Sequence, residues 1–352
     1  MVRLTSVRGA AMLAVMSASC GTPTTAPSRE LPMNEFGAAG SAAVARAWDV
    51  IRFDPAMLEY PEGIAIDPRG RLFVGMTRWA EVREIEPDGS VRSFARLLPP
   101  DKVPIPPGAP GLLGLATTAS GDVYAALVTF DPATHGVYRI DGRTGQAERL
   151  VGSEAICWPN AMAFDARGNL YVTESTRVPC QGDPALGSVW RFRPGGAAEP
   201  WVESVELAGT GELPIAAPVG ANGIVFQPRT EGPGTLIVAN TEKGSLVSIP
   251  ILANGSAGPI STLARDPRIL TVDGIVLGQH GAIYAMVIGQ NRIVKVSPDG
   301  SAFDVVANGK PLDFPVNAVF GVHGSDRGRL FVVNFALPAF GGTEPGVVVI
   351  EP

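Results

Sequence analysis

Charged residues, histidines and long apolar runs are all scarce in this chain. Only 18% of its 352 residues are charged, and three are histidine. Lys and Arg number 28 against 34 Asp and Glu, so the net charge is −6 and the basic footprint needed for nucleic-acid binding is missing. Beyond the N-terminus no apolar run reaches the roughly 18–20 residues of a membrane-spanning helix. We therefore expect no nucleic-acid partner and no integral membrane domain.

Glycine and proline are abundant instead. The chain has 42 glycines and 32 prolines, together about a fifth of its residues. Such a density of turn formers is incompatible with a helical bundle or coiled coil, in which Ala, Glu, Lys and Leu dominate. Hydrophobic residues make up 45%, which is enough for a sizeable core and excludes general disorder. The composition predicts one large, turn-rich, all-β domain.

The N-terminus has the pattern of an export signal, because two arginines precede the apolar stretch 10–16 and small residues lead to Cys20. Cys20 and the Thr/Pro-rich stretch after it are similar to a bacterial lipoprotein with a lipidated cysteine, although Ser17 stands where such signals usually have leucine. The alternative is ordinary cleavage after Ser19. Either way we expect an exported protein that is periplasmic, secreted or held at the membrane only by its lipid. The predicted segments are a signal peptide at 1–20, a flexible tether at 21–44 and a folded domain at 45–352.

Two further cysteines lie in the body of the chain, Cys157 and Cys180. An even number of cysteines in an oxidising compartment favours a disulfide between them. The alternative is two unrelated buried thiols.

A sixfold repeat runs through residues 45–352. Each copy has a short apolar strand, a turn containing Gly, Asp or Asn, and a second strand rich in Val, Tyr and Phe, after which a third and a fourth strand follow. Four antiparallel strands per roughly 50 residues is the pattern of a β-propeller blade. The last copy ends after its third strand, so we expect residues 47–53 to close the ring as its fourth strand. The prediction is one six-bladed propeller, whose copies start at Glu62, Leu113, Asn160, Asn222, Asp273 and Asn317.

The starting residues of the six copies form a pattern of their own. In a propeller the first strand of each blade lines the central channel, so the residue just before it is expected at the channel mouth. Five of the six are carboxylates or carboxamides, and Leu113 is the exception. Such oxygen ligands suit Ca²⁺, and the charges of Glu62 and Asp273 would balance it. The alternative is that each residue is a local turn cap, but turn chemistry does not require the same offset in five blades.

These motifs resemble those of the calcium-dependent six-bladed propeller hydrolases, namely gluconolactonase, regucalcin (the senescence marker protein) and related lactonases. The resemblance covers about 45–352. It implies one catalytic calcium ion at the hub. Leu113 offers no ligand, and Asn317 is an additional candidate. The ligands that the resemblance implies are Glu62 (before Gly63), Asn160 (after Pro159), Asn222 (before Gly223) and Asp273 (before Gly274).

The chemistry implied by this resemblance is metal-assisted hydrolysis of a lactone, an ester or a phosphoryl compound. Calcium would polarise the carbonyl or phosphoryl oxygen as a Lewis acid. The attacking group is either water deprotonated by Asp273 or Glu62, or one of these carboxylates itself. We favour water with Asp273 as the general base. The substrate is then a small molecule, and we expect the protein to be a monomer.

The loops between second and third strands are expected on the mouth face, and they are apolar. An apolar rim favours a hydrophobic lactone or ester over a sugar lactone, although the same side chains would equally serve to pack loops together. His135 is the one histidine expected on this face. It is a candidate proton shuttle or, as we favour, a solvated loop residue. The predicted substrate walls are Met76, Trp79, Leu113, Phe130, Trp158, Phe335 and Phe340.

Two other functions are compatible with the repeat. A non-enzymatic propeller similar to NHL modules would bind a partner across its mouth and would not depend on calcium. A lyase or a cyclase would use the same cavity without hydrolysis. Lyases similar to virginiamycin lyase rely on a histidine and Mg²⁺, and the scarcity of histidine on the mouth side argues against them.

Overall fold

The computed structural model describes residues 46–352, apart from 179, 181, 214–216 and the side chain of Phe340. The predicted signal peptide, the tether and Cys20 lie outside the described residues. In the described part of the chain, no helix is both long enough and apolar enough to cross a membrane.

The described chain forms six four-stranded antiparallel sheets. The innermost strands of neighbouring sheets contact one another all the way round, which makes a closed ring and confirms the predicted six-bladed propeller. In the order of the blades, the strands are β2 (Pro61–Ile66), β3 (Leu72–Met76), β4 (Glu81–Ile85) and β5 (Val91–Arg96); β6 (Gly111–Thr117), β7 (Val123–Val128), β8 (Gly136–Ile140) and β9 (Ala147–Arg149); β10 (Pro159–Phe164), β11 (Leu170–Glu174), β12 (Gly187–Phe192) and β13 (Ala198–Ser204); β14 (Ala221–Gln227), β15 (Thr235–Asn240), β16 (Ser245–Pro250) and β17 (Ser261–Arg265); β18 (Val272–Leu277), β19 (Ile283–Val287), β20 (Arg292–Val296) and β21 (Phe303–Asn308); and β22 (Pro315–Phe320), β23 (Leu330–Asn334), β24 (Gly346–Glu351) and β1 (Arg46–Arg52).

Only short 3-10 helices accompany these strands in the described residues. They are Pro55–Met57, Thr77–Trp79, Pro100–Lys102, Ser153–Ala155, Val205–Leu207, Pro267–Ile269, Gln279–Gly281, Ile288–Gln290, Gly324–Asp326 and Pro338–Phe340.

The ring is closed by the N-terminal strand, as the sequence predicts. β1 pairs antiparallel with β24, with Trp48 opposite Val349, and so becomes the outer strand of blade 6. This pairing covers the edge of β24 that would otherwise be open to a strand from another chain. β1 starts at the face of the ring opposite the channel mouth, because outer strands run from that face toward the mouth.

The turns between first and second strands lie on this opposite face, and their residue types explain their conformation. In blade 1, Asp67 accepts hydrogen bonds at Oδ1 from the backbone N–H groups of Arg69 and Arg71, at 2.9 Å each. Gly70 in the same turn has φ +85°, which favours glycine. The Asp67 side chain thus stabilises a tight turn at the end of the first strand. Because this turn lies on the face opposite the mouth, the first strand begins at the mouth.

Apolar residues pack between adjacent blades. Every residue of β3 and of β19 is buried, because a second strand has a neighbouring blade against each of its faces. This explains why the second strands have continuous rather than alternating apolar sequences. The tightly packed blades hold the inner strands in fixed positions around the channel.

Candidate functional site

The residues predicted at the channel mouth lie inside the first strands rather than before them. In blade 1, Pro61 pairs with Met76 and Ile64 pairs with Val74, so β2 has one extra residue between these pairs. The same irregularity is found at the corresponding place in the other five blades. A β-bulge re-aims the side chain that it carries. It accounts for how Glu62, Asn160, Asn222 and Asp273 converge on the channel instead of packing between blades.

The sixth position of this ring is Val316, so the expectation that Asn317 occupies the ring position of blade 6 was wrong. Pro315 pairs with Asn334 and Ala318 with Val332, which gives Val316 the place that Glu62 has in blade 1. Asn317 lies one residue further along. There it lines a cavity of about 310 Å³ in the channel, and its Oδ1 accepts a hydrogen bond from the N–H of Ala318 at 2.9 Å. The β-bulge shifts the ring position from Asn317 to Val316. The apolar pattern of the strand does not indicate that a bulge is present.

In blades 1 to 5 the residue after the ring residue is glycine or alanine, because the neighbouring first strand passes close to it. A Cβ on Gly63 would lie 2.2 Å from the carbonyl oxygen of Leu113, and a Cβ on Gly223 would lie 2.5 Å from that of Asp273. Both distances are far inside van der Waals contact. Glycine therefore permits the close approach that brings the ring residues of adjacent blades together.

Four polar ring residues meet at the hub. Asn160 Nδ2 donates a hydrogen bond to Asn222 Oδ1 at 2.9 Å, although the two residues are 62 positions apart in sequence. The Asn222 amide also hydrogen-bonds to the carboxyl of Asp273. Glu62, across the channel mouth, is close enough to Asp273 for their charges to interact. The predicted ligand set is thus brought together by four different blades.

Ionisation of the two carboxyl groups at the hub is unfavourable. Burial raises the pKa of Glu62 well above its ordinary value, and the nearby charge of Asp273 raises that pKa further. Burial raises the pKa of Asp273 to about 7, against the opposing effect of the hydrogen bond from Asn222. Both side chains still keep some contact with solvent. No Lys, Arg or His among the described residues forms a salt bridge with either carboxyl.

This donor set fits a hard divalent cation. The described residues contain no group of three or more His, Cys, Asp and Glu side chains able to hold a metal ion, so the hub differs from a site built of carboxylates and imidazoles alone. It offers two carboxylates and two carboxamides, which are the oxygen ligands that Ca²⁺ prefers. Two buried acidic groups without a basic partner are unfavourable unless a cation compensates them.

A disulfide joins Cys157 to Cys180, with Cα atoms 5.7 Å apart. Cys157 is three residues before Asn160, and its N–H donates to Glu174 Oε1 at 2.7 Å. Glu174 is buried, and its Oε2 accepts a hydrogen bond from Arg177 Nε at 3.1 Å. The start of the Asn160 strand and the long loop of blade 3 are therefore fastened to each other beside the hub.

His135 is buried, with only 4% of its surface exposed, so the expectation of a solvated loop residue was wrong. Its Nε2 lies 2.7 Å from the carbonyl oxygen of Ile156, and its Nδ1 is approached by the N–H groups of Thr129 and Phe130 at 3.3 and 3.4 Å. Because both ring nitrogens are engaged by the backbone, the neutral imidazole with its proton on Nε2 suits the site. Burial lowers the pKa of His135 and reinforces that state. Its role is to fasten two loops rather than to carry protons.

Phe130 and Trp158 form one aromatic cluster at the mouth. Their rings meet edge to face with centroids 5.9 Å apart, and Phe130 also stacks on His135 at 6.1 Å. Phe130 has φ +59°, which is strained for a large residue and is maintained by the hydrogen bonds around it. Both aromatic rings are only partly buried, in line with their predicted place on a substrate wall.

A second aromatic cluster lies on the blade 1 and blade 6 side. Tyr60 meets Phe335 edge to face at 6.2 Å, and Phe314 lies 6.4 Å from the same ring. Trp79 packs in this cluster and donates from Nε1 to the carbonyl oxygen of Met57 at 3.1 Å.

The other predicted wall residues have different positions. Met76 has no exposed surface and belongs to the core behind the second aromatic cluster, so its prediction as a wall residue was wrong. Leu113 occupies the ring position of blade 2 and is buried to 3% exposure. Phe340 lies in the 3-10 helix Pro338–Phe340, and its side chain is outside the described part of the chain.

Sequence reasoning missed four residues of the site, two aromatic and two hydroxyl. Tyr60 and Phe314 each stand directly before the proline that opens an inner strand, and this placement was a usable signal. Ser175 and Thr241 each follow a second strand, and each accepts a hydrogen bond from a ring amide, at 3.0 and 3.1 Å. Their sequence signal is a hydroxyl residue at the same offset in the two blades whose ring residue is Asn.

Comparison with known proteins agrees with this architecture. Residues 108–335 match the family described as the SMP-30/gluconolactonase/LRE-like region. A gluconolactonase from Xanthomonas campestris is 19% identical, with a TM-score of 0.61 over 87% of this chain and 89% of that one. The calcium-binding protein regucalcin from Agrobacterium tumefaciens is 18% identical, with a TM-score of 0.61 over 87% and 92%.

A protein named for another activity is also structurally similar to this chain. Virginiamycin B lyase from Staphylococcus aureus is 16% identical, with a TM-score of 0.51 over 82% of this chain and 81% of that one. No curated protein sequence matches the chain. At these identities the structural likeness establishes the fold alone.

Proposed function

Because the chain belongs to the SMP-30/gluconolactonase/LRE-like family, we propose that it is a calcium-dependent hydrolase of a hydrophobic lactone or ester. Family membership supports a lactonase-type hydrolase. The observation that carries the proposal is the convergence of Glu62, Asn160, Asn222 and Asp273 at one end of the channel. Two acids and two amides without a basic partner form a site for a cation rather than a purely structural network.

The residues of the hub have separate roles in this proposal. Glu62, Asn160, Asn222 and Asp273 would hold the ion through their side-chain oxygens. When bound, calcium supplies Lewis-acid polarisation of the substrate carbonyl. Asp273 acts as the general base that takes a proton from the attacking water, and Glu62 supplies the second negative charge. Direct attack by either carboxylate remains the alternative route for the same residues.

The aromatic clusters support a hydrophobic substrate. Phe130 and Trp158 on one side and Tyr60 on the other are partly exposed aromatic residues, and Phe335 is buried against Tyr60. A sugar lactone needs hydrogen-bonding groups around its hydroxyls, whereas these clusters provide mainly apolar area. We therefore expect lactones with alkyl or aryl substituents to be better substrates than gluconolactone.

The binding-module and lyase alternatives make different demands on the mouth. A partner-binding propeller needs no cation, and it leaves the unpaired Glu62 and Asp273 unexplained. A histidine-dependent lyase needs an available imidazole, but both ring nitrogens of His135 are engaged. His280 and His323 lie at the opposite face; His323 is hydrogen-bonded to the carbonyl oxygen of Pro68 there.

If the chain is exported and lipidated, the position of β1 suggests how the channel mouth is oriented relative to the membrane. We propose that the chain is exported, and that a lipid on Cys20 would tether it from the side opposite the mouth. β1 (Arg46–Arg52) starts at that opposite face, so the described chain begins there. The mouth would then face away from the membrane. Intact mass of the membrane fraction distinguishes a lipidated Cys20 from a chain cleaved after Ser19.

Hydrolysis assays on chelator-treated protein test the proposed activity. We expect turnover of alkyl-substituted γ-lactones and aryl esters to require added calcium and to fall at least a hundredfold in Asp273→Asn. Asp304→Asn is the matched control, because Asp304 is an exposed carboxylate in the same blade. Calcium-independent turnover would contradict the metal role. Wild-type turnover in Asp273→Asn at saturating calcium would contradict the role of Asp273, and a preference for gluconolactone would contradict the apolar pocket.

A further inference from the structure

Hydroxyl side chains follow the second strand in three blades, at one common register position. Glu174 pairs with Pro159 and Asn240 pairs with Ala221, so Ser175 and Thr241 have equivalent places beside Asn160 and Asn222. Thr77 has the corresponding place in blade 1, where it donates to the carbonyl oxygen of Tyr60 at 3.0 Å. Only in the blades with an Asn at the ring does this hydroxyl bind the ring side chain.

Thr241 can bind Asn222 in only one way. A hydroxyl has one hydrogen to donate, and Thr241 gives it to the carbonyl oxygen of Val272 at 2.8 Å. Toward Asn222 it can then only accept, and it accepts from Nδ2 at 3.1 Å. The nitrogen of the Asn222 amide is therefore turned to Thr241 and to the carboxyl of Asp273, and its oxygen faces Asn160.

The direction of the Asn222 amide in turn determines the direction of the Asn160 amide. Asn222 Oδ1 accepts from Asn160 Nδ2 at 2.9 Å, and the second Nδ2 hydrogen of Asn160 goes to Ser175 Oγ at 3.0 Å. Both N–H groups of Asn160 are thus in use. Its Oδ1 receives no hydrogen bond from any described residue and is free to act as a ligand. All three residues are at most 8% exposed, so water does not readily replace these partners.

We propose that Ser175 and Thr241 are positioning residues that set the Asn160 and Asn222 amides with their oxygens toward a bound cation. The inference rests on the proposed function, because it needs a metal at the hub. Each hydroxyl supplies one of the hydrogen bonds that hold an amide in this orientation, and its loss makes the 180° rotamer, whose N–H groups repel a cation, less unfavourable. Thr241 also holds the carbonyl of Val272, the residue before Asp273, and so positions two of the four proposed ligands.

Calcium affinity measured by titration calorimetry on the chelator-treated full chain tests this role. Loss of a partner that orients a metal ligand typically weakens metal binding by about 10–100-fold. We expect Thr241→Val, which keeps the shape but removes the hydroxyl, to raise the calcium Kd by that factor. Thr241→Ser keeps the hydroxyl and is expected to bind within about threefold of wild type. Ser175→Ala, which removes only the partner of Asn160, is expected to weaken binding by about tenfold.

Thr77→Val is the matched control. Thr77 is equally buried and has the same register position, but its hydroxyl hydrogen-bonds to the Tyr60 backbone instead of a ring side chain, so the calcium Kd of Thr77→Val is expected to be unchanged. Wild-type affinity in both Thr241→Val and Ser175→Ala would overturn the inference and leave the proposed function intact. An equal loss in Thr77→Val would overturn it too, since it would reveal a general packing effect. Absence of calcium binding by the wild-type chain would overturn both proposals.

Discussion

Asp273→Asn is expected to stabilise the protein in the absence of metal and to remove its response to calcium. Burial raises the pKa of Asp273 to about 7 from an ordinary value of 3.8. A carboxyl with a higher pKa in the folded than in the unfolded state stabilises the fold fully below pH 4. That contribution is lost as the pH rises to about 7. At pH 8 the ionised carboxylate therefore opposes folding, and an amide does not.

The size of this effect follows from the difference between the two pKa values. The pKa of Asp273 in the folded state is about 3 units above its value in the unfolded state. At pH 8 this difference corresponds to a loss of about 4 kcal/mol in the free energy of unfolding. The carboxyl of Asp273 keeps some contact with solvent, which screens the charge. We therefore expect about half of this value, roughly 2 kcal/mol, or a Tm higher by about 4 °C for a domain of this size.

The assay is thermal unfolding at pH 5 and pH 8, with chelator and with calcium. With chelator at pH 8 the variant should melt above wild type, and the gap should shrink at pH 5. With calcium the order should reverse, because ligand binding stabilises only the protein that binds it. Asp299→Asn is a control of opposite sign, since hydrogen bonds from Ser297 and Ser301 lower the pKa of Asp299 to about 2. A variant that melts below wild type in chelator at pH 8 would refute the reasoning.

Three further outcomes are expected. Gly63→Ala should lower the Tm by about 6 °C, about 3 kcal/mol, because its Cβ would lie 2.2 Å from the carbonyl oxygen of Leu113; calorimetry showing an unchanged Tm would contradict the close approach. Because burial lowers the pKa of His135, its contribution to stability is present above pH 6.5 and is lost as the pH falls below that value. The stability of wild type relative to His135→Asn in urea unfolding should therefore rise between pH 5 and pH 7, and a flat difference would count against a buried neutral imidazole. Reduction of the disulfide between Cys157 and Cys180 should lower stability by about 3 kcal/mol, and the double serine variant should not respond to reductant; two free thiols in the untreated protein by intact mass would end this prediction.

The fold was readable from sequence because each blade encodes itself locally. The Asp67 turn, the glycine with positive φ and the continuous apolar second strands are all short-range features. Their sixfold recurrence predicts a propeller without knowledge of any long-range contact. Even the closure by β1 follows from counting strands, because the last copy lacks its fourth.

The site was only partly readable, because its geometry depends on contacts between blades. The bulge near the start of each first strand moves the ring position in blade 6 from Asn317 to Val316, and an apolar pattern does not specify a bulge. The burial of His135 depends on the carbonyl of Ile156, 21 residues away. Met76 fits the composition of a pocket wall equally well, but it packs into the core behind the second aromatic cluster.

The sequence by itself determined the repeat, the family and four of the oxygen-bearing residues at the hub, because these are properties of residue type and spacing. Only the tertiary structure decided which atoms of those residues face the channel. The direction of an amide is set by its hydrogen-bond partners, and the partners of Asn222 are Thr241 in its own blade, Asn160 in the preceding blade and Asp273 in the following blade. Such partners are fixed only when the blades close into a ring.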